Sequence, residues 1–156
     1  MSTVTTRTYH DIRQALVGSE ELALIDVREE DPFAQEHPLF AANIALSKLE
    51  LEVYARIPRR DTAITVYDAG EGLAAVAAER LLALGYSDVA LLEGGLEGWR
   101  SAGGELFRDV NVPSKAFGEL LESVRHTPSL AAEQVQALLD AKADVVVLDA
   151  RRFDEY

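Results

Sequence analysis

The segment Ile64-Thr-Val-Tyr-Asp-Ala-Gly-Glu-Gly-Leu-Ala-Ala-Val-Ala-Ala78 joins a short apolar run to an alanine-rich helical pattern through a loop of small residues. Asp68, Ala69, Gly70, Glu71, Gly72, Leu73 and Ala74 make up that loop. A loop of this kind aims several backbone N–H groups at one point, and the dipole of the helix that follows favours negative charge there. The chemistry it suits is the holding of an anion, at the carboxyl end of a parallel strand where open α/β sheets bind ligands. The plain alternative is a tight βα turn using two glycines, Gly70 and Gly72. Gly70-x-Gly72-x-x-Ala75 also imitates a dinucleotide fingerprint, with Glu93 placed for a ribose contact, but it is a lone match in mid-chain.

Other polar residues offer less. Asp26 and Arg28 could act as catalytic charges, yet at a strand end followed by Glu29 and Glu30 they read better as a structural ion pair beside the loop. Trp99, after Gly94 and Gly95, reads as packing that covers the sheet edge. His10, His37 and His126 lie far apart without ligand spacing, so no metal site is expected, and no Ser/His/Asp triad can be assembled. The chain has no cysteine, which excludes disulfides, thiolate metal sites and every cysteine-nucleophile mechanism within it.

Composition sets wider bounds. At 156 residues, 48% hydrophobic and 27% charged, the chain is a folded protein of one domain, or of one domain and part of another. Its net charge of −12 repels phosphate backbones and anionic lipid, so neither nucleic acid nor a membrane is an expected partner. The start lacks the apolar core of a signal peptide, and the longest apolar run, Leu73 to Ala78, cannot span a bilayer; the expected location is the cytoplasm.

The elements that must position the loop follow from patterning. Leu22 to Val27, Ile64 to Tyr67 and Val89 to Leu92 are short apolar runs bounded by turn or charged residues, as buried parallel strands are, and Ala42 to Ile44 adds a shorter one. Helical patterns fall between them, which predicts an α/β fold with a parallel central sheet and helices on both faces. Ser47-Lys-Leu-Glu50 predicts a capping box, with Pro58 where that helix must end. Leu73 to Leu84 predicts a helix stopped by Gly85, and Gly95 to Ala102 another that carries Trp99.

Beyond Leu106 the pattern loosens. Asn111-Val-Pro113 breaks the chain, and Phe117, Leu120, Leu121 and Val124 then mark an amphipathic linker helix. After Thr127-Pro128-Ser129 the beginning of the chain recurs at an offset of 123: Ile12 matches Val135, Leu16 matches Leu139, Ile25 matches Leu148, and Asp26-Val27-Arg28 matches Asp149-Ala150-Arg151. The same offset pairs Asp31 with Asp154 and Phe33 with Tyr156, so a helix followed by an apolar strand recurs, with Val145 to Leu148 as the expected strand. The expected organisation is a domain over 1–107, a linker over 108–127 and the incomplete start of a second domain over 128–156.

From Tyr9 to Phe107 the chain resembles the rhodanese (sulfurtransferase) superfamily, with the first part of a second rhodanese-like domain after Pro128. The resemblance rests on Leu24-Ile-Asp-Val-Arg-Glu29 with Phe33, on Ala42-Asn-Ile44, on Ile64 to Tyr67 before the loop, and on Leu92-Glu-Gly-Gly-Leu-Glu-Gly-Trp99, in that order and spacing. It implies a rhodanese-like fold, no cofactor, and a loop whose first residue is a cysteine that carries sulfane sulfur as a persulfide. The family pattern Cys-x-x-Gly-x-Arg-Ser falls on Asp68, Glu71, Leu73 and Ala74, so all four signature positions depart from it. A carboxylate cannot form and break an S–S bond. The expectation is a silent domain in which Asp68 caps its own loop and which serves as a structural or regulatory module; the alternatives are a dinucleotide-binding enzyme and a pure protein-interaction domain. The implied partners are a later, cysteine-bearing domain of the same protein and a protein sulfur acceptor.

Overall fold

The computed structural model describes residues 4–126 and 128–149. It divides into two compact units, residues 1–116 and 117–156. The first is built on five strands, β1 (Thr5–Arg7), β2 (Leu22–Asp26), β3 (Ala42–Asn43), β4 (Ala63–Tyr67) and β5 (Val89–Leu92). They form one sheet in the order β1-β5-β4-β2-β3, every pair parallel. The register sets Ile25 opposite Val66 and Thr65 opposite Ala90, so β4 lies in the middle with a neighbour on each side.

Alternation along the strands divides the core in two. Ile25, Val27, Ile64 and Val66 face α3 (Leu49–Arg56) and α4 (Leu73–Ala83), packing with Leu49, Val53, Ala77 and Leu81. Leu24, Tyr67 and Leu92 face the other way, against Ile12 of α1 (Tyr9–Val17) and Leu96 and Trp99 of α5 (Gly95–Ser101). Both sheet faces are thus covered, which is why the strands read as apolar runs. The alanine-rich face of α4 brings its backbone close to the sheet: Ala77 and Ala78 are fully buried.

Several elements differ from expectation. Thr5–Arg7 pairs with β5 although its residues are polar: as an edge strand it needs only one partner, and Arg7 reaches across to the Ile64 carbonyl (2.9 Å) and to Asp88. A six-residue helix, α2 (Glu30–Gln35), buries Phe33 and was not signalled by any capping pattern. Ser47-Lys-Leu-Glu50 is not a capping box. Leu46–Lys48 is a 3-10 turn, the Ser47 hydroxyl donates to Glu29 (2.8 Å), and Glu50 pairs with Arg80, so tertiary partners took both side chains. The box occurs instead at Thr8 and Asp11, each side chain bonding the other residue's backbone N–H at the start of α1.

The linker helix, α6 (Val112–Arg125), begins earlier than expected, with Pro113 in its first turn, where a missing N–H costs nothing. In the second unit a helix, α7 (Ala132–Asp140), follows. The strand expected at Val145–Leu148 does not form: these residues pair with no strand among the described residues and are exposed. A buried parallel strand needs neighbours on its edges. Ala150, Arg151, Asp154 and Tyr156 of the recurring pattern lie outside the described residues.

Candidate functional site

The candidate loop leaves the carboxyl end of β4 and enters α4. Gly70 and Gly72 have φ of +105° and +79°, a backbone that L side chains rarely adopt, so two left-handed turns fold the loop tightly over Asp68. Asp68 is 7% exposed. One of its carboxylate oxygens accepts the Gly70 N–H and the other accepts the Ala74 N–H, each at 2.9 Å. Glu71 turns back to accept the Ala69 N–H at 2.7 Å. Three of the loop's N–H groups, those of Ala69, Gly70 and Ala74, are therefore engaged by the loop's own carboxylates, and Asp68 accepts two of them. The same bonds occupy N–H groups that a dinucleotide pyrophosphate would need at Gly70-x-Gly72-x-x-Ala75.

The loop is held from below by α5. The Leu96 N–H donates to the Asp68 carbonyl at 2.9 Å, and a Cβ on Gly95 (φ +58°) would come within 2.7 Å of that oxygen. Gly98 packs closer still: a Cβ there would lie 2.1 Å from the Glu93 carbonyl oxygen. The glycines of Leu92-Glu-Gly-Gly-Leu-Glu-Gly-Trp99 thus let the start of α5 approach Asp68 and the end of β5. Sequence reasoning saw them only as neighbours of Trp99; the signal for their role was the close spacing of three glycines. Gly98→Ala is expected to lower stability by roughly 1–3 kcal/mol, because the obstacle is backbone and cannot rotate away. Chemical denaturation measures it, and an unchanged midpoint would show that α5 can shift freely.

At the carboxyl end of β2, Asp26 and Arg28 form a buried bidentate pair. Arg28 donates through Nε and Nη2 to Asp26 at 3.0 and 2.6 Å, its backbone N–H reaches the same carboxylate at 2.9 Å, and Nη2 also bonds the Glu36 carbonyl at 2.8 Å. Burial opposes the guanidinium charge, but the bonds and charge of Asp26 outweigh it and hold the Arg28 pKa above its ordinary value. The pairing of Asp26 with Tyr67 places the β2 end beside the loop, and the Glu71 carboxylate adds to the same effect on Arg28. Asn43, absent from the sequence-based candidates, closes the set by donating to the carbonyls of Asp26 (3.2 Å) and Arg28 (2.8 Å). Arg28 is committed to structure and does not replace a loop cation.

Tyr67 precedes Asp68 and is fully buried. Its hydroxyl makes no hydrogen bond of good geometry among the described residues. Burial first, then the Asp26 carboxylate, push its pKa far above the ordinary phenol value, so it stays neutral. Trp99 packs edge-on against Tyr9 at 4.7 Å, donates its indole N–H to the Glu105 carbonyl at 3.0 Å and clusters with Leu24, Tyr67 and Leu92, so it packs on the face of the central strands and not at the sheet edge. His10 borders Tyr9, His37 stacks on Phe33 and bonds the Phe33 carbonyl, and no group of metal-ligating side chains occurs among the described residues.

The Rhodanese-like domain family matches residues 9–102, which span more than half of the chain and contain strands β2 to β5, the loop and α5. The chain belongs to this family. Among solved structures, thiosulfate sulfurtransferase from Pseudomonas aeruginosa is 78% identical with a TM-score of 0.93, over 98% of this chain and 29% of that one. The rhodanese-like chain described here therefore spans under a third of that protein. The BH2092 protein from Bacillus halodurans is 25% identical (TM-score 0.60), over 68% of this chain and 78% of its own. A rhodanese-like domain from Anabaena sp. shares the fold at 21% identity and a TM-score of 0.60, over 96% of each chain. No curated protein matches. The rhodanese fold and a sulfurtransferase-like family are thereby established. No helix among the described residues is long and apolar enough to cross a membrane.

Proposed function

We propose that this rhodanese-like chain is a catalytically silent domain of a sulfurtransferase-family protein and serves as a structural or regulatory module for a later, cysteine-bearing domain. The observation that carries this is the Asp68 carboxylate, which stands at the family's nucleophile position with both oxygens bonded to the loop N–H groups of Gly70 and Ala74. Sulfur transfer requires a thiolate that attacks a sulfur–sulfur bond and leaves it again. A carboxylate does neither, and with Glu71 beside it and Leu73 in place of a cation, thiosulfate would meet negative charge alone. The short part of the Pseudomonas enzyme that this chain covers, and the recurrence after Pro128, support its place ahead of a second domain. A cytoplasmic protein acceptor of sulfur is the partner such a later domain would serve.

The test is thiosulfate-to-cyanide sulfur transfer followed as thiocyanate. No turnover above buffer is expected from the 156-residue chain at any concentration of thiosulfate. Measurable turnover, dependent on Asp68, would overturn the assignment.

A further inference from the structure

We draw no further inference here: the strongest candidate, the half-open apolar groove of about 650 Å³ on the α1 face of the first unit, lined by Leu16, Val17, Leu24, Phe40, Trp99 and Phe107, carries none because nothing in the structure shows what covers it.

Discussion

Asp68→Cys is expected to give thiosulfate-to-cyanide transfer barely above background, and Asp68→Cys with Leu73→Arg to exceed that single variant by at least about tenfold. The thiol would sit where the N–H groups of Gly70 and Ala74 converge, donors that favour a thiolate once the carboxylate no longer takes them. Glu71 opposes this, because its carboxylate caps Ala69 N–H beside the same point and repels both thiolate and thiosulfate. An added guanidinium at position 73, the first residue of α4, supplies the missing cation. A hydrogen bond from a guanidinium to a charged partner is worth about 1.5–3 kcal/mol, which covers about the 1.4 kcal/mol that a tenfold rate requires. Adding Glu71→Gly should raise the rate again. If Asp68→Cys alone turned over as fast as the triple variant, Glu71 and Leu73 would not be obstacles and the loop account would fail.

The largest loss of stability is expected from Arg28→Leu. Both side chains of the Asp26–Arg28 pair are buried, at 0% and 5% exposure, and removing Arg28 leaves a carboxylate in the core that keeps the backbone N–H of residue 28 but no cation of its own pair. Breaking a buried pair costs about 3–5 kcal/mol. Asp26→Asn with Arg28→Leu should recover more than half of that, because the uncompensated charge is gone while an amide oxygen can still accept the backbone N–H. Urea titration of the native chain and the two variants decides it. A cost under about 1 kcal/mol for Arg28→Leu would mean that water reaches Asp26 and that the pair is not the support of the β2 end. The difference between single and double variants separates the value of the pair from the penalty of a stranded charge.

Much of the fold was legible because the central strands are buried on both faces and therefore apolar without interruption. Leu22 to Val27, Ile64 to Tyr67 and Val89 to Leu92 each match a strand of the sheet to within one residue, and Gly85, with φ of +92°, follows α4 as its composition required. Thr5–Arg7 and Glu30–Gln35 were not legible: an edge strand and a six-residue helix carry too few buried residues to impose a period. Ser47 and Glu50 misled because a capping pattern is local, while their side chains found Glu29 and Arg80 across the fold. Val145–Leu148 looked like a strand by the same apolar criterion that succeeded elsewhere, but a parallel strand exists only with its neighbours.

At the site, residue type alone settled the chemistry that is missing. No thiol occurs anywhere in the chain, and under the proposed reading Asp68 takes the family's nucleophile position. Self-capping was foreseeable from an acidic residue at a glycine-rich turn. Which N–H groups it takes depended on the tertiary structure, since Ala74 lies six residues away and meets Asp68 only when the loop closes over it. The contacts of Gly95 and Leu96 with the Asp68 carbonyl, and of Asn43 with the Asp26 and Arg28 carbonyls, were likewise decided by packing. The physical reason is range. Polarity, charge and turn preference belong to each residue and its near neighbours and can be read in one dimension, whereas close approach and the satisfaction of buried donors arise when strands distant in the chain become adjacent in the sheet.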